Sequence, residues 1–267
     1  PAGTGTVDVT VTQGSESETL VGAFEYTATS AAWTPADITT ARWFRANDSA
    51  TLTLDGSDNA EQWDDKSGNA GHATQTSSGS RPKRIVSAIG GKDALRFDGS
   101  NDLMDFPAAN LATAAMLIYV IKVDDNGYSV FGDQAGNSDN WDRFGVDGKT
   151  YPNHFVSSRL AGVNLSMPTS ETIILAYAAD AASPTYKIRR NGAEVFSSAS
   201  AFTFSDNINR IGRALNSSSW IKGDLPEAVL VNAYSITDLE KLEGYLAHDY
   251  GLEADLPSGH RYKSSPP

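Results

Sequence analysis

Apolar and polar residues alternate along Val7-Asp8-Val9-Thr10-Val11-Thr12, break at Gln13-Gly14-Ser15-Glu16-Ser17, and alternate again from Leu20 to Tyr26. A two-residue period on both sides of a glycine-containing turn predicts a β-hairpin. An isolated hairpin is marginal in water, so this arm, residues 1–27, is expected to dock on something larger. Residues 28–41 follow as a linker, rich in Ala, Ser and Thr over 28–36 and carrying Pro35. From Trp43 onward, short runs with apolar residues alternate with Gly, Asn, Asp and Ser. The predicted strands include Ala94–Phe97, Met116–Val123, Tyr128–Gly132, Arg143–Val146, His154–Ser158, Glu171–Ala178, Tyr186–Arg190, Ala193–Ser197 and Asn209–Gly212. Asn191-Gly192 is a strong type I′ hairpin signal, and Trp220–Asn232 reads as one more strand after Ile211-Gly212-Arg213.

The period then changes once. Leu239, Leu242, Tyr245 and Leu246 recur at three- and four-residue spacing, which predicts a helix over Thr237–Tyr250. Thr237 is the expected N-cap, with Glu240 completing a capping box, and Gly251 ends the helix. Residues 254–267 are expected to be an extended tail. Many short strands with polar punctuation and one closing helix give an all-β class, a two-sheet antiparallel sandwich with a short C-terminal helix.

Several phrases carry a resemblance. Trp63-Asp64-Asp65-Lys66-Ser67-Gly68-Asn69-Ala70-Gly71-His72-Ala73 is followed by Leu95-Arg96-Phe97-Asp98-Gly99-Ser100-Asn101-Asp102. Arg189-Arg190-Asn191-Gly192, Ile211-Gly212-Arg213 and Gly223-Asp224-Leu225-Pro226-Glu227-Ala228 come later, in order. Together they resemble the concanavalin A-like lectin/glucanase superfamily, in its laminin-G-like jelly-roll group, over residues 42–253. The run Leu242–Leu252 followed by Leu256-Pro257-Ser258-Gly259-His260 is similar to the C-terminal signature of such domains in tailed-phage structural proteins and some bacterial surface proteins. Gly22-Ala23-Phe24-Glu25-Tyr26-Thr27 resembles the last strands of immunoglobulin-like IPT/TIG domains. The resemblance implies a jelly roll that covers or recognises surfaces. The expectation is a non-enzymatic virion surface protein of a tailed phage, a capsid decoration, fibre or adhesion component that contacts glycans. Its partners would be other capsid or tail proteins and cell-surface glycans, and its state an oligomer such as a trimer. A secreted bacterial carbohydrate-binding module and a glycoside hydrolase of the same fold are the alternatives.

Composition narrows this further. With 33 acidic against 21 basic residues, the net charge of −12 repels phosphate backbones, and no basic stripe offsets it. Nucleic acid is therefore not an expected partner. No run approaches the roughly 18 apolar residues of a membrane span, and the absence of cysteine removes disulfides and thiolate chemistry.

Candidate chemistry is sparse. Glucanases of the resembled fold carry a Glu-x-Asp-x-x-Glu strand, which is missing here. Asp224 and Glu227 lie three apart and would face opposite sides of a regular strand. His72, His154, His248 and His260 show no zinc spacing. Sugar sites combine an aromatic platform with planar polar groups, which singles out Trp141, Tyr151, Asn153, Arg159 and Trp220 in turn-rich segments. Trp43 and Trp63 are assigned to the core. Calcium needs six to eight oxygens, and Asp133, Asn137, Asp139 and Asp142 are the candidate ligands. The Asp98–Asp105 and Asp124–Asn126 clusters are also acidic, but Asp and Asn are ordinary turn residues.

Overall fold

A computed structural model describes residues 5–26, 32–124, 127–128, 130–134, 143–144, 154–156, 168–205, 208–213 and 220–267. The chain divides into two units, Pro1–Trp33 and Thr34–Pro267. The first is the hairpin, β1 (Gly5–Gln13) and β2 (Glu16–Tyr26), closed by Gly14-Ser15 with Gly14 at φ +62°. Val7, Val9 and Val11 line one face with Leu20, and all four are exposed. Thr10 and Thr12 bond Thr19 and Ser17 across the other face.

The second unit begins earlier than the sequence suggests. Thr34, read as linker, caps a short 3-10 turn at Pro35–Asp37, and the first strand starts at Thr40. Its elements run β3 (Thr40–Arg45), β4 (Leu52–Leu54), β5 (Ala60–Trp63), β6 (Ala73–Thr74), β7 (Lys83–Ile89), β8 (Lys92–Asp98), β9 (Met104–Asp105) and β10 (Ala114–Val123). They continue with β11 (Gly127–Tyr128), β12 (Phe131–Gly132), β13 (Arg143–Phe144), β14 (Thr172–Asp180), β15 (Thr185–Arg190), β16 (Ala193–Ser198), β17 (Arg210–Ile211), β18 (Lys222–Val231) and α1 (Ile236–Tyr250). Of the predicted strand His154–Ser158, the described part is a turn at His154-Phe155 and a single bridge from Val156 to Phe204.

Among the described residues, two antiparallel sheets enclose the core. The larger follows the order β16-β15-β14-β10-β18-β8-β7, with β3 also on β18; the smaller follows β12-β17-β9-β6-β5-β4. This is the antiparallel β-sandwich with one C-terminal helix that the pattern predicts. Leu117, Tyr119, Ile121 and Val123 of β10 join Leu175 and Tyr177 of β14 on the inner face. Opposite them stand Phe131, Ile211, Met104, Ala73 and Trp63 of the smaller sheet. Trp43 and Trp63 are buried, as expected. β10 and β14 are largely apolar on both faces because α1 lies against their outer side.

β18 departs from a regular strand. Lys122 pairs with Asp224 and Val120 with Glu227, so three steps on β18 oppose two on β10. This bulge absorbs Pro226, whose missing N–H a regular central strand would not tolerate. It also shifts the side-chain parity, so Asp224 and Glu227 share the outer face rather than opposing faces.

The helix starts before the expected cap. Ser235 is the N-cap, its hydroxyl accepting from the Asp238 N–H, and Thr237 lies within the first turn. A capping hydroxyl two residues upstream leaves the Thr237–Glu240 box unused. Gly251 ends the helix at φ +71°, as expected. The final residues are not extended: they form turns that fold back on the domain, burying Leu256 and His260. Gly192 and Gly244 make room for this. A Cβ on Gly192 would meet the His260 ring at 2.8 Å, and one on Gly244 would meet Tyr262 at 2.3 Å.

Candidate functional site

Of the residues singled out for sugar binding, Trp141, Tyr151, Asn153 and Arg159 lie outside the described residues. Trp220 is half-buried beside Arg213, whose guanidinium sits 5.1 Å from the ring centre. Of the calcium candidates, Asn137, Asp139 and Asp142 also lie outside, and Asp133 is buried. Among the described residues, no three His, Cys, Asp or Glu side chains gather as a metal site.

The acidic phrases have local work instead. Asp98 accepts from the amides of Ser100 (2.8 Å) and Asn101 (3.1 Å), while its own amide donates to Asp102 (2.9 Å). Burial, together with the neighbouring Asp98 charge, pushes the Asp102 carboxyl up to about 7. Gly212 at φ +96° lets this turn close, because a Cβ there would stand 2.5 Å from the Asp102 carbonyl.

The Trp63–Ala73 phrase winds around one buried carboxylate. Asp65 accepts from the amides of Trp43 (2.9 Å), Ser67 (2.9 Å) and Gly71 (3.1 Å). Arg42 lies against Gly71 and donates to the carbonyls of Ala41, Pro107 and Ala108. The loop thereby delivers His72 and β6 to the outer face of the smaller sheet. His72 Nδ1 lies 3.1 Å from both the Asp65 amide and the Asp64 carboxylate.

That face carries a row the sequence reading missed. Strand pairing sets Arg210, Asp105, Thr74, Gln62 and Thr53 side by side on β17, β9, β6, β5 and β4. The alternate row is the core row, so the pleat turns this one outward, with Arg210 itself buried. Arg210 grips Asp105 through two bonds of 2.6 and 2.9 Å. Gln62 donates to Asp64 (2.6 Å), and among the described residues its carbonyl oxygen and the hydroxyls of Thr53 and Thr74 have no hydrogen-bond partner. Two depressions lie over the row. One, of about 420 Å³, is bounded by His72, Asp105, Phe106, Pro107 and Gln134; the other, of about 400 Å³, by Thr53, Glu61, Gln75 and Arg81. Both include Gln62 and Thr74, so they adjoin along the row as a shallow trough across the strands.

The outer face of the larger sheet is the opposite case. Fully buried Glu227 accepts from Trp43 Nε1 (2.7 Å), Tyr245 (3.1 Å) and Tyr250 (2.8 Å), with Arg45 at 3.7 Å. Burial raises its carboxyl, and these partners offset part of that. Glu243 takes both nitrogens of Arg189 (2.7 and 3.0 Å) and His260 Nε2 (3.1 Å). Asp224 is paired twice by Arg96, at 2.7 and 2.6 Å. These carboxylates fasten the helix, the final turns and the strands, and each is sealed from solvent.

No known family model matches the chain, and no curated protein does. Solved structures do. Domain 4 of AbnA, a GH43 extracellular arabinanase from Geobacillus stearothermophilus solved with arabinotriose, is 17% identical at a TM-score of 0.53, covering 75% of this chain and 95% of that one. The binding domain of Paraclostridial Mosquitocidal Protein 1 is 10% identical at 0.56, over 79% of this chain and 53% of its own. Trypanosoma rangeli sialidase, solved with sialic acid, is 12% identical at 0.52, over 78% and 33%. The match thus spans nearly all of the first, about half of the second and a third of the last. At these identities the likeness establishes the β-sandwich fold.

Proposed function

We propose that this chain is a non-catalytic glycan-binding domain and that the open face of the smaller sheet is its binding surface. The observation that carries this is the row Thr53, Gln62 and Thr74, whose unpartnered hydroxyls and amide oxygen lie in one trough. Hydroxyl-rich ligands suit such a surface, because each sugar hydroxyl both donates and accepts. The state of the carboxylates supports a non-catalytic role. Asp105 is held by Arg210, and Asp55 and Glu61 by Arg81 at 3.2 and 2.7 Å. Acids tied to arginines in this way serve the scaffold rather than standing as a free pair across a groove, the arrangement glycoside hydrolysis needs.

The setting we favour is the surface of a tailed-phage virion, as a decoration, fibre or adhesion component in an oligomer, supported by the resemblance of the C-terminal run. The likeness to a domain of an extracellular arabinanase supports a second setting, an accessory module of a secreted enzyme.

A glycan array on the purified protein, run with calcium and with EDTA, tests the reading. Binding is expected in both, and Thr74→Trp, which fills the middle of the trough, is expected to abolish it while the circular dichroism melt stays unchanged. Binding lost in EDTA would move the site to the Asp133–Asp142 segment. Binding that survives Thr74→Trp would remove the trough from the reading, and silence on the array would remove glycan binding altogether.

A further inference from the structure

We infer that the trough takes an internal stretch of a linear, neutral glycan, three or more units long and laid across the strands, rather than a chain end. This rests on the glycan-binding reading above and deepens it. Recognition of a terminal sugar calls for polar groups that converge on one enclosed pocket. Here they stand in file instead, with Thr53 on β4, Gln62 on β5 and Thr74 on β6, each directly opposite the next, and Asp105 following on β9. Neighbouring strands lie ~4.8 Å apart, so the file from Thr53 to Asp105 covers about 14 Å. That strand spacing is close to the rise of one sugar unit in an extended chain. Each of three successive units would then meet one side chain of the file. The two depressions adjoin at Gln62 and Thr74, so such a chain would lie over both, from His72 and Gln134 to Arg81.

Charge selects a neutral chain. Asp55, Glu61, Asp64 and Asp105 outnumber Arg81 and Arg210 around the trough, and both arginines are already engaged by these acids. The amides of Ser57 and Asn59 hold the Asp55 carboxyl down to about 2, so it stays ionised. With a chain charge of −12 behind it, the face repels uronate, sulfate or phosphate polymers.

Isothermal titration with cello-, xylo- and arabino-oligosaccharides, from the monosaccharide to the hexasaccharide, reads this directly. For at least one series, affinity should climb roughly fivefold to tenfold with each added unit up to the third and then level, one hydrogen-bonded unit at a time. Thr53→Ala, at the end of the file, should lower affinity for the trisaccharide about fivefold and leave the monosaccharide unchanged. Capping the chain ends by methylation should change little. Equal affinity at every length, or binding lost on capping, would establish end recognition and overturn the inference while leaving glycan binding intact. Tighter binding of oligogalacturonates than of the neutral series would overturn its neutral character. Silence in all three series overturns the inference; silence across the whole array removes the reading beneath it as well.

Discussion

The two outer faces of the sandwich treat polar groups in opposite ways. Over the larger sheet, α1 and the final turns seal Glu227 and Glu243, and all four carboxylate oxygens find donors. Over the smaller sheet, hydroxyls and an amide oxygen have no partner among the described residues and line a trough. A buried polar group without a partner is costly, whereas an exposed one is satisfied by water at little cost. Sealed polarity is therefore architecture, and open polarity is spare binding capacity. The sealed face also shows why strongly held carboxylates are poor evidence for catalysis. The two on β18 share a face because of the Pro226 bulge, yet one anchors a helix and the other an arginine.

This contrast breaks most visibly at Glu227. Glu227→Ala would strand the Trp43 N–H and the Tyr250 hydroxyl in a dry interface, remove the acceptor of the Tyr245 hydroxyl, and leave Arg45 with Asp249 and Tyr245. A loss of about 3–5 kcal/mol is expected in urea unfolding, as for other buried pairs that lose one member. Glu227→Gln, which keeps an acceptor, should cost clearly less. Equal losses for the two variants would mean that charge rather than hydrogen-bond supply holds the helix.

Asp102 follows, with the opposite sign. Its folded pKa of about 7 lies above its ordinary value, so between pH 4 and 7 the folded state holds a proton that the unfolded chain has released. Stability contributed by the protonated form is complete at low pH and is lost as pH rises through that window. Asp102→Asn keeps an acceptor for the Asp98 amide. It should raise stability at pH 8 by about 2–4 kcal/mol and flatten the slope between pH 4 and 7, with little effect at pH 4. A slope that persists in the variant would assign it to other groups.

Gly71→Ala comes third. Its Cβ would stand 2.1 Å from Arg42 Nε, displacing a guanidinium that holds three carbonyls and shapes the loop carrying His72. A cost of about 2 kcal/mol is expected, within the range for overpacking, together with weaker glycan binding because the trough wall shifts. Binding unchanged at reduced stability would separate the loop from the site.

Much outside the open face was legible in sequence. Alternation in the hairpin, the apolar runs of β10 and β14, the core tryptophans and the apolar stripe of α1 are local signals. The Asn191-Gly192 turn is equally local, with both residues at positive φ as a type I′ turn requires. The bulge at Pro226 was not legible, because its effect on parity appears only when β18 is paired with β10. The helix cap was misplaced because Ser235 and Thr237 are equally good capping residues, and packing chooses between them. The final turns looked extended because the cradle they fill, built from Gly192, Gly244, Glu243 and Arg189, comes from distant segments. The trough was the least legible part. Its strands are two to four residues long, too short for a periodic signal, and Thr53 and Arg210 meet on one sheet only through four successive pairings. The aromatic-loop criterion looked for a different kind of site and passed over Thr and Gln, which are unremarkable until aligned.

The smallest stability effect sharpens the comparison most. Gln62→Ala and Thr74→Ala remove groups whose hydroxyl or amide oxygen water already satisfies, so both should stay within about 0.5 kcal/mol of the parent in urea unfolding. Gln62→Ala also frees Asp64 from its donor, but that carboxylate is 35% exposed and water replaces the bond. If both variants keep stability and lose glycan affinity, the open row is dispensable to the fold and is held for a ligand. If either destabilises the domain by as much as Gly71→Ala, the row is part of the scaffold, and the distinction between sealed and open polarity fails at the place where it was drawn.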